Sequence, residues 1–546
     1  MSPKGPGAAP DPPGAPDPPG TPDPAGALDP ALDPGGGLFG TTGAEASAEL
    51  PWPLLLRHRV QRRARASSRY RWWVLAALLA GLFSLSFTFT VFVVALPTVK
   101  HEFHTNFSVL TWASTGPLLA FGLAAPVFGR AGDLFGHRRL YLIGLGGAMV
   151  AAALTALAPD VWVLLGARAL DGVQGAATGT ASMALILVLF APEDRVKAMG
   201  WWSMVGAGGP VIGVTLGAPV IEFFGWRTLF WAQLVLLAVS LVVVALVLPA
   251  HGPHSVEGDP VAPGGGRSMD WVGSWSLSGA VTGAMLALSV GPVVGWGSPW
   301  VVGAAAGAAA ALAVFVQRER TAAHPLVPPE YFRRRNFTFP MVTRALVNFA
   351  YFGAFFLFPL MMEDVSHWSV TEVGLVSIAR PLLFSISAPV AGYAAVRVGE
   401  RASATAGAAL VVASMVVFAG LGGSPPVALV VLALALAGLG MGVASPSTSS
   451  AQANEVDPGR FGVASAAQQL AAQVGEVAGI QVLITVEESL ARRSAGASAH
   501  DGAALLPAFR TAFWVGAAVA AAGVGAALCM RRLVRAAAGA PEAATR

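Results

Sequence analysis

The chain contains fourteen apolar segments, each close to the roughly 20 residues that an α-helix needs to cross the hydrocarbon core of a bilayer. They lie at residues 73–97, 108–129, 140–158, 161–189, 200–223, 228–249, 271–290, 299–317, 340–361, 372–396, 403–421, 427–445, 463–486 and 509–530. Inside a bilayer every backbone polar group must be paired within the protein, so segments of this length form helices. The pattern predicts an all-α polytopic membrane protein with fourteen transmembrane helices.

The composition fits a chain that faces lipid. Of the 546 residues, 55% are hydrophobic and 12% are charged, against about 25% charged in ordinary soluble domains. So few charges exclude a soluble enzyme. The formal net charge of +4 gives no large cationic field for nucleic acid, and the single cysteine, Cys529, excludes an intramolecular disulfide.

The two ends of the chain differ from the apolar body. Residues 1–56 form a Pro/Asp/Gly-rich tail with a repeated Asp-Pro theme, which predicts a disordered arm, and no signal-peptide pattern is expected there. Residues 57–72 form a basic collar of arginines that ends beside Trp72 and Trp73, as expected where a first helix enters a membrane. Residues 531–546 form a C-terminal tail.

The distribution of basic residues predicts the orientation. An even number of helices places both termini and every second loop on one side. The loops on that side, which include residues 250–270 and the basic loop 318–339, carry most of the interhelical arginines. The opposite loops are poorer in basic residues, apart from Lys100, Arg227 and the segment 487–510. The positive-inside rule therefore predicts a multi-pass protein of the plasma membrane with cytoplasmic N- and C-termini.

An internal repeat divides the apolar body. The sequence APVFG at 125–129 recurs as APVAG at 388–392, an offset of 263, and Gly209 and Gly213 recur as Gly475 and Gly479 at an offset of 266. Two pairs at nearly one offset favour a duplication over a chance match in an Ala/Gly-rich chain. We expect two pseudo-symmetric six-helix bundles, residues 73–249 and 340–530, with residues 271–317 as two inserted helices. Two similar bundles around a central cavity are typical of transporters.

The loop after the second segment reads GRAGDLFGHRR at residues 129–139. Glycines permit a tight turn and close helix approach, and Asp133 can cap a helix start or pair with an arginine of the neighbouring bundle. The loop resembles motif A of the major facilitator superfamily, a gate loop of pattern G-x-x-x-D-x-x-G-x-R-R. A plain positive-inside loop would explain the arginines but not the spaced glycines and the aspartate. The resemblance assigns to the gate Gly129, Asp133, Gly136, Arg138 and Arg139.

The fifth segment carries Gly209, Pro210 and Gly213. Small residues let helices pack closely, and a proline bends a helix by removing one backbone hydrogen bond. The segment is similar to the antiporter motif of the same superfamily, and the nearby sequence GWRTLF at 225–230 is similar to its G-W-R-x-x-F pattern. With the inserted segments, the resemblance extends from about Trp73 to Arg532 and points to the fourteen-helix drug:proton antiporter branch.

Ionisable side chains within the apolar segments are candidate functional residues, because a charge in hydrocarbon is unfavourable unless it is paired or hydrated. The first segment has Thr88 and Val93 where the branch often has an aspartate and an asparagine. The fourth segment has Arg168 and Asp171, similar to motif B with aspartate at the glutamine position, and their spacing places both on one helix face. Asp171 is our candidate for the proton-exchanging carboxylate; a static ion pair with Arg168 is the alternative.

The second half of the chain has further buried candidates. Glu476 occupies the position that corresponds to Pro210 of the first copy, deep in an apolar run. We expect it to face the cavity, where it would contact substrate or carry a second proton. Arg380, Arg344 and Asn348 are the other polar groups of these segments. An ion pair between Arg380 and Glu476 is the simplest alternative.

The resemblance implies a secondary active transporter that exports small amphipathic organic compounds in exchange for protons by alternating access. A facilitator or proton symporter on the same fold is the alternative. A membrane enzyme is disfavoured, because the nine histidines are scattered and match no metal-ligand or triad pattern. A non-transporting sensor is disfavoured, because we expect no soluble signalling domain to carry its output. The expected partners are protons, substrate and lipid, with no cofactor, metal, nucleic acid or required protein partner.

Overall fold

The computed structural model describes residues 69–105, 107–248, 269–322, 325–494 and 502–532. Over these ranges the chain consists of α-helices and short 3-10 turns, without a β-strand. The predicted tail 1–56, residues 57–68 of the basic collar, residues 250–268 of the following loop and residues 533–546 of the C-terminal tail lie outside the described residues.

A helix coincides with every predicted segment. The first eight are α1 (Tyr70–Glu102), α2 (Phe107–Phe135), α3 (His137–Ala156), α4 (Val161–Leu189), α5 (Pro192–Phe224), α6 (Arg227–Val247), α7 (Trp271–Val294) and α8 (Pro299–Thr321). The others are α9 (Arg335–Asp364), α10 (Val370–Ser377), α11 (Ala379–Val398), α12 (Glu400–Gly420), α13 (Val427–Ala453), α14 (Phe461–Ser494) and α15 (Gly502–Leu528). The tenth predicted segment is thus two helices, α10 and α11, which meet at Ile378.

The lengths and hydropathy of these helices are those of a multi-pass membrane protein. In the described part of the chain, eleven helical segments are long and apolar enough to cross a membrane, with α10 and α11 taken as one. Helices α1, α5 and α7 occupy the remaining three predicted segments.

Local sequence signals explain where several helices begin and end. The Asp160 carboxylate caps α4 by accepting hydrogen bonds from the backbone N–H groups of Trp162 (2.8 Å) and Val163 (3.0 Å). Gly136 and Gly399 have φ angles of 96° and 90°, and they lie directly after α2 and α11. A residue with a side chain is strained in this region, so glycine sets the same sharp turn at equivalent points of the two repeats.

The two halves pack in the same way, which confirms the duplicated fold. In the first half α1 packs on α5 and α6, α2 packs on α4, and α3 packs on α4 and α6. In the second half α9 packs on α14 and α15, α11 packs on α13, and α12 packs on α13 and α15. The structure therefore consists of two pseudo-symmetric six-helix bundles, and α7 and α8 are the inserted pair.

The bundles meet along two seams. Helix α2 of the first bundle packs on α14 of the second, and α5 packs on α11 and α13. The inserted helices α7 and α8 pack on each other, and α7 also contacts α2 and α14. This arrangement leaves a cavity between the bundles, lined by residues of both.

Glycines set the closest helix contacts within the second bundle. A Cβ atom at Gly475 would clash with the carbonyl oxygen of Ala345, and one at Gly479 would clash with that of Phe349. Helices α9 and α14 therefore approach to backbone contact, as the glycine repeat suggested.

We expect Gly479→Val to destabilise the protein by about 1–3 kcal/mol, the usual range for overpacking. The measurement is the midpoint of thermal unfolding in detergent. Gly525→Val is the matched control, because no atom of the described residues lies within 4 Å of the position that a Cβ at Gly525 of α15 would take. Both changes replace a helical glycine with valine and therefore alter the helix propensity equally, so equal midpoints for the two variants would contradict the close contact.

Candidate functional site: a charged cavity between two bundles

The central cavity has a volume of about 380 Å³ and is lined by four helices of each bundle. Its apolar lining comprises Leu82, Leu85, Phe121, Phe352, Phe384 and Met441. Its polar lining includes Asp171, Gln174, Arg344, Asn348, Gln473 and Glu476. A mostly apolar wall with a few polar groups is typical of a small-molecule site.

On the first-bundle wall, α4 presents a carboxylate that is held by two neighbours. Arg168 Nη1 donates to Asp171 Oδ2 at 2.6 Å, and Gln174 Nε2 donates to Asp171 Oδ1 at 2.7 Å. The Arg168 guanidinium also lies 4.9 Å from the centre of the Phe92 ring. Arg168 is 1% exposed, whereas the Asp171 side chain is 17% exposed. The Asp171 carboxylate is therefore accessible from the cavity, whereas the Arg168 side chain is buried within the wall.

On the second-bundle wall, Arg344 and Glu476 face the cavity from α9 and α14. Within the described residues, Glu476 makes no hydrogen bond or ion pair, although the charges of Arg380 and Arg344 act on it. Arg344 Nε and Nη1 are buried and find no hydrogen-bond partner in the described part of the chain. The adjacent Asn348 is 2% exposed and donates from Nδ2 to the Arg344 carbonyl oxygen at 2.7 Å.

Arg380 lies deeper in the second bundle and is 3% exposed. Its Nη1 donates to the Tyr351 carbonyl oxygen at 2.9 Å, and its guanidinium lies 3.9 Å and 4.2 Å from the ring centres of Tyr351 and Phe355. No ion pair between Arg380 and Glu476 is found among the described residues. Two aromatic rings and a carbonyl hold Arg380, so Glu476 remains available to the cavity.

Below the cavity, the C-terminal end of α2 joins the bundles at the end that we call the basic end, where the α2–α3, α4–α5, α11–α12 and α13–α14 loops lie. The segment 129–139, which was predicted to be a loop, is helical apart from Gly136. The Asp133 carboxylate accepts hydrogen bonds from the backbone N–H groups of Gly462 (2.7 Å) and Val463 (3.1 Å), both in the first turn of α14. Asp133 thus caps a helix of the other bundle, where the helix dipole favours a negative charge. His137 Nε2 lies 3.3 Å from Asp133 Oδ1.

The other gate residues support this contact. A Cβ atom at Gly129 would lie 2.8 Å from the Gly462 carbonyl oxygen, so only glycine permits the approach. Arg138 Nε and Nη2 donate to the carbonyl oxygens of Leu248 (3.2 Å) and Ala245 (3.1 Å) at the end of α6. Arg138 therefore fixes the start of α3 to α6 of its own bundle, whereas Arg139 is exposed.

The second seam repeats the close approach without the aspartate. A Cβ atom at Gly392 would lie 2.7 Å from the Val196 carbonyl oxygen on α5, and the aspartate position is Val396. Here Arg195 Nη1 donates to Asn454 Oδ1 of the other bundle at 2.8 Å. The sequence offers Arg195 only as one more basic loop residue, which is why this cross-bundle bond was not predicted.

Two more cross-bundle contacts involve residues that line the cavity. The hydroxyl groups of Ser203 and Ser445 are 3.0 Å apart, and Gln473 Nε2 donates to the Leu118 carbonyl oxygen at 3.0 Å. Gln469 and Gln473 were also missed as lining residues; together with Glu476 they repeat at i, i+4 and i+7 on α14, a spacing that marks one helix face. Gly209, Pro210 and Gly213 lie within α5, the helix that packs on α11.

Sequence comparison identifies the fold family. The sequence profile of the Major Facilitator Superfamily matches residues 78–272 and 262–480. The chain belongs to the major facilitator superfamily. This membership explains the paired six-helix bundles, and it confirms the resemblance to this superfamily that the sequence motifs indicated.

Individual members of the superfamily are similar to this chain. The tetracenomycin C resistance and export protein of Streptomyces glaucescens is 28% identical over 63% of this chain and 62% of its own length. The lincomycin resistance protein of Streptomyces lincolnensis is 30% identical over 77% of this chain and 85% of its own length. The chain spans less than two thirds of the length of several curated relatives, including the tetracenomycin C resistance and export protein.

A solved structure shows the same fold. The human organic anion transporter MFSD10 (TETRAN) matches with a TM-score of 0.58 and 17% identity, over 82% of this chain and 99% of the human chain. At this identity the likeness concerns the major facilitator fold alone.

Proposed function

We propose that the protein is a proton-coupled exporter of small amphipathic organic compounds. The observation that carries the proposal is the cavity between the two bundles, which places two carboxylates, Asp171 and Glu476, beside an apolar lining. The names of the two Streptomyces relatives, which refer to resistance and export, support the direction of transport.

In the proposed mechanism, transport proceeds by alternating access. The basic end lies in the cytoplasm together with both termini, by the positive-inside rule. The described conformation is closed at that end by Asp133, Arg195 and the glycine contacts of both seams. Because these bonds cross between the bundles, they break when the cavity opens to the cytoplasm, and the protein alternates between two packed states.

Asp171 is the proposed site of proton exchange. Its carboxylate reaches the cavity, so a proton can arrive from either side as access alternates. Protonation removes its charge and weakens its bonds with Arg168 and Gln174. A proton can therefore alter the hydrogen bonding of α4, the helix that packs on α2 and thus on the gate.

Transport in inside-out membrane vesicles tests the proposed function. With tetracenomycin C as the probe, we expect accumulation in vesicles with an acidic interior and no accumulation after a protonophore collapses the gradient. Vesicles without the protein are the control. Accumulation driven by an acidic exterior would identify a symporter, and equilibration that ignores the gradient would identify a facilitator; both would contradict the proposal.

A further inference from the structure

Arg344 is a charged residue of the cavity lining, and two nitrogen atoms of its guanidinium lack a hydrogen-bond partner among the described residues. It lies on α9 in a span that is apolar enough to cross a membrane. Its Nε and Nη1 atoms are buried without a hydrogen-bond partner among the described residues. A buried guanidinium is unfavourable unless an anion or a hydrogen-bond acceptor pairs with it. The cavity supplies the space in front of it.

The charges around the cavity do not balance. Arg168 on α4 is neutralised by Asp171 at 2.6 Å. On the other wall, the charge of one carboxylate, Glu476 of α14, acts on both Arg344 of α9 and Arg380 of α11, and among the described residues it pairs with neither. One positive charge is therefore in excess when both carboxylates are ionised. Arg380 is hydrogen-bonded to Tyr351 and covered by aromatic rings. The excess positive charge therefore faces the cavity on Arg344.

The apolar lining lies in the same cavity as this charge. Phe352 is on the next turns of α9, and Phe121 of α2, Phe384 of α11 and Met441 of α13 complete the wall. A bound compound would thus contact the Arg344 guanidinium on one side and aromatic and aliphatic side chains on its other sides. Arginine holds carboxylate-type and sulfonate-type groups through paired N–H donors.

We propose that Arg344 binds an anionic group of the substrate, so that the transported compounds are amphipathic organic anions. This inference rests on the proposed function, because it assigns the substrate class of the same cavity. Arg344 contacts the acidic group, and the apolar lining contacts the body of the compound. An ionised Glu476 repels the substrate anion and limits its affinity.

Two fluorescent probes that differ in one charged group test the inference. 8-Anilinonaphthalene-1-sulfonate carries a sulfonate, and N-phenyl-1-naphthylamine has the same rings without it. Binding of each is measured on the purified full-length protein in lipid nanodiscs, with empty nanodiscs subtracted. We expect the wild type to bind the sulfonate probe at least tenfold more tightly than the neutral probe.

The variants assign this preference to one side chain. Arg344→Gln should lower the affinity for the sulfonate probe about tenfold and leave that for the neutral probe within twofold, which also shows that the variant is folded. Arg344→Lys should retain part of the preference, and Glu476→Gln should increase it. Arg335→Gln, at the exposed start of the same helix, is the matched control and should bind like wild type.

Equal affinities of the wild type for the two probes would overturn the inference, as would an equal loss of both in Arg344→Gln. The binding measurement involves no proton gradient. If the probes show no charge preference but gradient-driven export is intact, only the anionic substrate class is refuted. A correct charge preference without gradient-driven export would refute the proposed function alone.

Discussion

Asp171→Asn is expected to abolish accumulation driven by a proton gradient while leaving substrate counterflow in place. The asparagine side chain cannot take up a proton, yet it is close in size. Its Oδ1 can still accept a hydrogen bond from Arg168, and its Nδ2 can donate to Gln174 Oε1 once the Gln174 amide turns over. Counterflow exchanges labelled for unlabelled substrate and needs no net proton movement. Gradient-driven accumulation should therefore fall to that of vesicles without the protein.

Asp364→Asn serves as the matched control, because it neutralises an exposed aspartate at the end of α9. It should accumulate substrate like the wild type. If Asp171→Asn accumulates substrate with unchanged rate and pH dependence, Asp171 is only the static partner of Arg168. The same measurement on Glu476→Gln then tests the second carboxylate.

Asp133→Asn is expected to shift the conformational equilibrium towards a state that is open at the basic end. The substitution removes the charge that caps α14 across the seam, and hydrogen bonds to a charged group contribute about 1.5–3 kcal/mol each. A loss of about 1.4 kcal/mol changes an equilibrium constant tenfold. We therefore expect at least a tenfold change in the ratio of open to closed molecules.

Pulsed electron–electron resonance measures this ratio. Spin labels on cysteines at Ala191 and Arg397, exposed positions of the two bundles at the basic end, report their separation in a Cys529→Ser background. Asp133→Asn should add a population at longer distance. Asp194→Asn removes a carboxylate at the same end whose ion-pair partner, Lys197, is on its own helix, and it should leave the distances unchanged. A shift in both variants, or in neither, would contradict the gate.

Much of the fold could be predicted because the membrane leaves few alternatives. An apolar segment of about 20 residues whose backbone groups must pair within the segment forms a helix, so every predicted segment is helical, although the tenth is divided into α10 and α11. The repeat at offsets 263 and 266 predicted the two bundles, since duplicated sequence packs in duplicated fashion. The spacing of Arg168 and Asp171 predicted their pairing, because residues three apart share a helix face.

The cross-bundle contacts could not be predicted in the same way. Asp133 accepts hydrogen bonds from the backbone N–H groups of Gly462 and Val463. A backbone group cannot be recognised in a pattern of side chains, so the sequence did not indicate this partner. The alternative of an ion pair between Arg380 and Glu476 is not found among the described residues, and Arg380 lies beside Tyr351 and Phe355 instead. Such ring contacts depend on tertiary packing. The roles assigned to Asp171, Glu476, Asn348 and the glycines of α5 remain predictions.

The inserted helices make the two flanks of the protein unequal for a compound that is already dissolved in the bilayer. On the α2–α14 flank such a compound meets α7 and α8 before it reaches the bundles. On the α5–α11 flank, Ile386 and Val390 of α11 are 56% and 64% exposed. A substrate that entered sideways from the bilayer would therefore meet apolar side chains of a bundle on this flank and the inserted pair on the other.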